Sequence, residues 1–246
     1  MTEGRFAGRV ALVTGASGGL GAEMSTRLAA DGAAVGVHYA SDRTAADQVA
    51  GTIVTAGGRA VVIQADLRDP QASTRVVDDV EAAFGPVDLL VANAGLSRQM
   101  PYEEIDAAAF DETVAVNLRA PYLMARRVLG GMRARRFGRI LFTSSVAAFT
   151  GGLVGPHYAA SKAGLLGLTH FFSSRVARDG VTVNALAPAL IEHTDMLPGD
   201  PGDLATLVPV GRLGDPAEVA DLAMAVLRNG YLTSQVISID GGMHPR

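Results

Sequence analysis

Seven short runs of consecutive apolar residues punctuate the chain: RVALVTG (9–15), AVGVHY (34–39), AVVIQAD (60–66), VDLLVANAG (87–95), RILFTSS (139–145), VTVNALAP (181–188) and QVISIDGG (235–242). A continuous apolar run ended by turn residues is what a strand covered on both faces requires. Between the runs, apolar positions recur at helical spacing over about 19–31, 43–56, 70–84, 106–136, 157–179 and 215–228. The last of these opens on Asp215-Pro216 with Glu218 at the third helical position, an N-cap, a first-turn proline and a capping acid in sequence. Strand and helix alternate throughout, so the pattern predicts a single α/β domain over residues 1–246, a doubly wound, mainly parallel seven-stranded sheet with helices on both faces.

In such a sheet ligands bind outside the carboxyl ends of the strands. Four segments lie there: 15–21, 93–104, 145–157 and 188–213. The last has no clear period and is rich in Pro, Gly and Asp. A loop of that length predicts a lid or binding segment.

Composition narrows the function. With 48% hydrophobic residues the chain can bury a full core, and its net charge of −4 offers no general field for nucleic acid or an anionic membrane. The absence of cysteine removes disulfides, thiolate catalysis and cysteine-bound zinc together. The opening MTEGRFAGRVALVTG carries a Glu and only a four-residue apolar run, so no signal peptide is expected. No stretch approaches the roughly 18 apolar residues of a membrane span. A cytoplasmic protein is expected. Of the 21 basic residues 20 are Arg, and the single Lys is Lys162, four positions after Tyr158.

TGASGGLG (14–21) follows the first strand and opens the first helix. Its glycines allow a tight turn and let backbone N–H groups approach an anion, and the helix N-terminus adds partial positive charge. A glycine-rich turn kept only for packing would look similar, but the strand–loop–helix setting favours a nucleotide pyrophosphate.

Tyr158 and Lys162, four apart on a helix, share one face. A free Tyr titrates near ~10 and a free Lys near ~10.4. An ammonium fixed beside the phenol favours phenolate, as does the helix N-terminus, so the expectation is a phenol tuned toward neutral pH for acid–base work. A surface Tyr and Lys at helical spacing would read the same in isolation.

Thr14-Gly15-x-x-x-Gly19-x-Gly21, then Asn93-Ala94-Gly95, then Tyr158-x-x-x-Lys162, together with Asn117, Ser145 and Asn184, resemble the short-chain dehydrogenase/reductase family, whose domain is of Rossmann type. The resemblance runs from the first strand to SIDGG near residue 242 and is nearest to the 3-oxoacyl-carrier-protein reductase branch. It implies a catalytic set of Ser145, Tyr158, Lys162 and Asn117, with Ser145 holding the substrate oxygen and Asn117 anchoring a water behind the lysine. Ser144 is the rival to Ser145, which spacing favours. It also implies a dinucleotide bound by Gly15, Ser17, Gly18, Gly19, Leu20 and Gly21, by Tyr39, Ala40 and Ser41, by Asp66 and Leu67, by Asn93, Ala94 and Gly95, by Tyr158 and Lys162, and by Pro188 and Ile191. Asn93 and Asn184 are assigned to structure, and His157 is not assigned to catalysis.

An acid at the end of the second strand would accept the ribose hydroxyls of NAD(H) and repel a 2′-phosphate. The sequence there is HYASDRT, with Tyr39 at the acid's position, then Ala40 and Ser41, and Arg43 nearby, which favours NADP(H) over NAD(H). Gly18 departs from the basic residue that many NADP(H) members carry in the loop. A second departure follows the sixth strand, where Ala189 replaces a glycine and His193 takes the place of a threonine, with Thr194 one later. No metal is implied.

The reaction implied is interconversion of a carbonyl and a secondary alcohol, with a small-molecule substrate that an acyl carrier protein or coenzyme A could carry. Arg126, Arg127, Arg133, Arg135, Arg136 and Arg139 read either as solvation and dipole complementation or as a docking patch for an acidic carrier. Other ketones and alcohols, steroid or sugar alcohol included, and a nucleotide sensor without turnover are the alternatives. A sugar-nucleotide epimerase would need a further substrate domain. A homo-oligomer, a tetramer by resemblance, is expected.

Overall fold

A computed structural model describes residues 4–194, 196–197 and 199–244; the first three and last two residues of the expected domain, and 195 and 198 of the expected lid, lie outside the described residues. The strands are β1 (Val10–Val13), β2 (Ala34–Tyr39), β3 (Arg59–Gln64), β4 (Leu89–Ala92), β5 (Gly138–Thr143), β6 (Val181–Pro188) and β7 (Val236–Ile239). They form one sheet in the order β3-β2-β1-β4-β5-β6-β7, every pairing parallel. The strand order reverses between β1 and β4, which opens a crevice at their carboxyl ends.

The helices are α1 (Gly19–Ala30), α2 (Arg43–Thr55), α3 (Pro70–Phe84), α4 (Ala107–Val114), α5 (Ala120–Ala134), α6 (Ala147–Thr150), α7 (Pro156–Val176), α8 (Pro201–Ala205) and α9 (Pro216–Arg228). Successive side chains of a strand point to opposite faces, and two separate cores show it. Leu12, Leu90, Ile140 and Val183 pack with Val76, Met124, Leu165 and Phe172 of α3, α5 and α7. Val13, Val35, Leu89 and Leu141 pack with Met24, Leu28, Val219 and Met224 of α1 and α9. Both faces are therefore dry, and β1, β2, β4 and β6 are buried at every position. That is why their sequences are mainly apolar, with His38, Thr182 and Asn184 as buried polar exceptions. Each fully buried Leu or Val contributes roughly 1.5–3 kcal/mol.

Two expected elements differ. The 106–136 segment is not one helix: α4 and α5 are joined by a π-helical turn, Ala115–Arg119. Asn117 at its centre is fully buried and bonds the backbone of Leu96 across the site. The wider turn is the kind of irregularity that accommodates such a residue at a functional position. The 188–213 segment is not featureless. It contains α8, capped by the Asp200 carboxylate, and a bridge of Ile191 to Gly214.

Candidate active site

The glycine loop leaves β1 with Gly15 at φ +62° and enters α1 with Gly19 at φ +51°. Both lie in the left-handed region that favours glycine. A Cβ on Gly15 would sit 2.9 Å from Ala94 Cα, and one on Gly21 would sit 2.0 Å from the Gly15 carbonyl oxygen. Gly18, the N-cap of α1, supplies no capping side chain, and a Cβ there would meet nothing within 4 Å. A tight loop thus presents uncapped first-turn N–H groups to an open side, as a pyrophosphate requires. Ser17 and Leu20 are half-buried within it.

The loop is held from behind. Thr14 Oγ accepts the Asn93 and Ala94 N–H groups, each at 3.0 Å, while the Asn93 amide donates to the carbonyls of Thr14 (3.1 Å) and Gly15 (3.2 Å). His38, unassigned in the sequence, accepts the Gly15 N–H at Nδ1 (3.1 Å) and meets the Ala65 carbonyl at Nε2 (3.0 Å). Accepting at Nδ1 fixes the neutral tautomer with the proton on Nε2. Burial depresses the pKa of His38 below the ordinary value, against a smaller opposing effect of its bond to Ala65. A polar residue inside an otherwise apolar strand was the available signal.

At the end of β2 the side chain of Tyr39 turns inward and is buried with Val37 and Ala46. This corrects its expected place beside the ribose. Ala40 and Ser41 are exposed instead, and Ala40 lines a cavity of about 430 Å³ with Gln64, Asp66, Asp69 and Arg75. No carboxylate stands at positions 39–41. The Asp66 carboxylate is gripped by the Arg68 guanidinium (2.9, 3.0 and 2.7 Å), which holds its pKa below the usual range. Leu67 is buried beside it. Arg43 pairs with Asp47 of its own helix.

Across the crevice, Ser145 follows β5, and Tyr158 and Lys162 lie in the first two turns of α7. The Ser145 hydroxyl stands near enough to the Tyr158 phenol to pull its pKa down against burial. Ser145 Oγ also accepts the Ala147 N–H at 3.1 Å. Ser144 points away and donates to the Lys162 carbonyl at 2.9 Å. The Lys162 ammonium donates to the Thr143 carbonyl at 2.7 Å and lies 5.6 Å from the centroid of the Tyr158 ring. Asn117 donates to Ser161 Oγ (3.1 Å), which donates to the Tyr158 carbonyl (2.7 Å). A Cβ on Gly95 would stand 3.3 Å from both Asn117 Oδ1 and Lys162 Nζ. Two of the four residues expected to be catalytic, Asn117 and Lys162, therefore flank one glycine.

The electrostatics differ from the sequence expectation. Burial raises the Tyr158 pKa above its ordinary value, and Ser145 opposes this only in part. Burial lowers Lys162 to about 8. Desolvation disfavours both charged forms and is the largest cause of each shift. The phenol expected to be tuned toward neutral pH is instead shifted the other way, because its burial is not visible in the spacing of Tyr158 and Lys162.

Beyond these groups the floor is apolar: Ala147, Val154 and Tyr158 pack together with Met196 of the lid. His157 is buried, with Nε2 at 3.2 Å from the Arg98 carbonyl; Arg98 itself is exposed. Pro188 and Ile191 are buried where β6 enters the lid. Ala189 does not take positive φ; Leu190 (+50°) and His193 (+54°) do. His193 is exposed, whereas the Thr194 methyl lies 3.2 Å from where a Gly19 Cβ would be. The Thr194 side chain therefore faces the phosphate loop, with the His193 backbone beside it. Asn184 is structural, joining Leu232 and Gln235 at β7.

The arginine cluster lies mainly at the other end of the sheet. Arg139 opens β5 and donates to the carbonyls of Leu227 and Gly180, Arg135 pairs with Asp88, Arg133 with Asp179, and Arg127 with Asp78 and Glu81. No described helix is long and apolar enough to cross a membrane, and the described residues hold no cluster suited to a metal ion.

The family profile described as short chain dehydrogenase matches residues 9–201. The chain is 35% identical over 240 residues to a 3-oxoacyl-[acyl-carrier-protein] reductase of Synechocystis, covering 96% of each. It is 36% identical over 245 residues to a cis-4-hydroxycyclohexanecarboxylate dehydrogenase of Sinomonas cyclohexanicum, covering 96% of this chain and 97% of that one. Among solved structures, a short chain dehydrogenase from Burkholderia cenocepacia in complex with NADP superimposes with a TM-score of 0.89 at 36% identity, over 97% of this chain and 99% of the other.

Proposed function

This chain belongs to the short-chain dehydrogenase family and is an NAD(P)-binding oxidoreductase, and on that footing we propose that it is an NADP(H)-dependent reductase of 3-oxoacyl thioesters. The observation that carries the chemistry is the buried Lys162 ammonium, fixed on the Thr143 carbonyl and 5.6 Å from the centroid of the Tyr158 ring, with Ser145 acting on the same phenol. The crevice residues would hold a nicotinamide cofactor, whose chemistry would be hydride transfer to a carbonyl carbon or from the corresponding alcohol. Tyr158 gives its hydroxyl proton to the carbonyl oxygen, and Ser145 donates to the same oxygen and steadies the developing alkoxide. Lys162 holds positive charge behind the phenol. Asn117 and Ser161 hold that face of α7 against the Leu96 backbone.

The residues present fit the dinucleotide. Gly15, Gly19 and Gly21 leave no room for side chains at the pyrophosphate, with Ser17, Gly18 and Leu20 completing the loop. Asn93, Ala94, Gly95, Pro188 and Ile191 would flank the nicotinamide end, and Ala40, Ser41, Asp66 and Leu67 the adenosine end. The want of a carboxylate at Ala40 and Ser41 supports the 2′-phosphate, as does the NADP complex of the Burkholderia relative. The Synechocystis relative and the apolar floor of Ala147, Val154 and Met196 support an acyl chain. Coenzyme A or an acyl carrier protein would carry it; the internal partners of Arg127, Arg133, Arg135 and Arg139 support solvation and dipole complementation for the arginine cluster over a carrier's dock. We further read the segment 188–213 as the substrate lid and the enzyme as a cytoplasmic homotetramer, which light scattering would check.

The Sinomonas relative favours a second reading, oxidation of a cyclic secondary alcohol. The deciding experiment follows absorbance at 340 nm, a property of the reduced cofactor, with NADPH or NADH and a short 3-oxoacyl thioester, beside hydroxycyclohexane acids with NADP or NAD. Turnover confined to thioester and NADPH supports the first reading. Turnover confined to the cyclic alcohols replaces it with the second.

A further inference from the structure

The chain after β7 touches the site from a side that the reaction as derived does not use. Asp240 caps a tight turn there, its carboxylate accepting the Gly242 N–H (3.0 Å) and the His244 N–H (3.1 Å), while its carbonyl accepts the Met243 N–H (3.2 Å). One face of the turn is fastened to the lid. The Val210 N–H donates to the Gly241 carbonyl at 3.1 Å, and a Cβ on Gly241 would stand 2.4 Å from a Val208 methyl. Met243 packs against the lid cluster of Leu204, Val208 and Leu213. The other face reaches α6. The His244 imidazole stacks on the Phe149 ring with centroids 5.3 Å apart and planes 7° from parallel.

Phe149 belongs to the short turn that follows Ser145. That turn is also tied at Ser145 Oγ by the Ala147 N–H and to β6 by the Val146 N–H on the Pro188 carbonyl (3.1 Å). One five-residue turn therefore holds the lid with Met243 and the serine's own turn with His244. We infer that His244 is a substrate-positioning residue: stacked on Phe149, it links closure of the lid to the placement of Ser145 against the substrate carbonyl. The inference rests on the reductase reading for its kinetic consequence and on the stack alone for its mechanical one. The flat ring is what matters, since a near-parallel stack needs a planar partner, and the dinucleotide contacts lie elsewhere.

The test compares wild type, His244→Ala, His244→Phe and Phe149→Ala in the full chain. Loss of a stack of this kind predicts a rise of about fivefold in KM for the carbonyl substrate in His244→Ala and Phe149→Ala. NADPH affinity stays within twofold by the same reasoning, and His244→Phe restores the wild-type KM. Hydrogen exchange supplies a readout that needs no turnover: in His244→Ala, amides of 147–150 and of 204–210 lose protection together, and His244→Phe returns both. Exchange that rises in only one segment or in neither, or a KM that His244→Phe fails to restore, overturns the inference. If wild type turned over no carbonyl, the reductase reading would fall while the exchange experiment still decided the mechanical link.

Discussion

The Lys162 ammonium lies over the Tyr158 ring, 5.6 Å from its centroid, and directs its hydrogen bond to the Thr143 carbonyl. Burial raises the phenol's pKa and lowers the ammonium's to about 8. Tyr158 thus keeps its proton at neutral pH, the form that reduction needs, and Lys162 loses its charge first as pH rises. Carbonyl reduction is expected to be flat from about pH 6 to about pH 7.5 and to fall above the Lys162 pKa, while alcohol oxidation, which needs phenolate, keeps rising. A pH–rate profile in both directions checks this, and reduction that quickens above pH 8 contradicts it.

Lys162 also costs stability. Its folded pKa of about 8 against 10.5 unfolded means that the unfolded chain binds the extra proton between those values. The cost is complete below about pH 8, at roughly 3 kcal/mol, and disappears as pH rises toward 10.5. Lys162→Met should abolish turnover yet raise stability at pH 7 by roughly 1–2 kcal/mol, the relief of burial being partly offset by the lost bond to Thr143. Lys162→Arg should be inactive and less stable by about 1–3 kcal/mol, because a guanidinium overfills the space beside Gly95. Urea titrations distinguish the two.

Asn117 satisfies both the N–H and the carbonyl of Leu96, at 2.7 and 3.0 Å. Asn117→Ala strands those buried groups, each worth about 1–3 kcal/mol. It should lower the urea midpoint and leave the 96–100 loop exchanging its amides faster. An unchanged midpoint would mean that the π-helical turn stands without its amide.

His38 must stay neutral to accept the Gly15 N–H. Its folded pKa lies below the unfolded value of 6.5, so its contribution to stability is complete above about 6.5 and is lost as pH falls through the folded pKa. His38→Ala should weaken NADPH binding several-fold, cost about 2 kcal/mol at pH 7, and remove this part of the acid sensitivity. Melting curves and cofactor titration at two pH values decide it.

Much of this was legible in the chain because a doubly covered sheet writes continuous apolar runs and a phosphate loop writes glycines. Gly15, Gly19 and Gly21, and the four-residue step from Tyr158 to Lys162, depend on local geometry, which sequence encodes directly. What escaped depends on distance across the fold. Nothing local to Tyr39 shows that it turns into the core, and nothing local to Lys162 measures its burial. Asn117 is a buried amide at the centre of a π-helical turn, neither of which the helical spacing over 106–136 discloses. Thr194 facing Gly19 and His244 facing Phe149 join segments that only the tertiary structure brings together.

The most direct measurement is Tyr158→Phe, assayed for NADPH binding and for turnover on the same preparation. The substitution keeps the ring, its packing and the Lys162 contact, and removes only the hydroxyl on which Ser145 acts. The predicted result is NADPH affinity within about twofold of wild type, with turnover reduced by at least roughly a thousandfold, in keeping with loss of an essential proton donor. Turnover within tenfold of wild type would show that another group delivers the proton and would contradict the assignment at its centre.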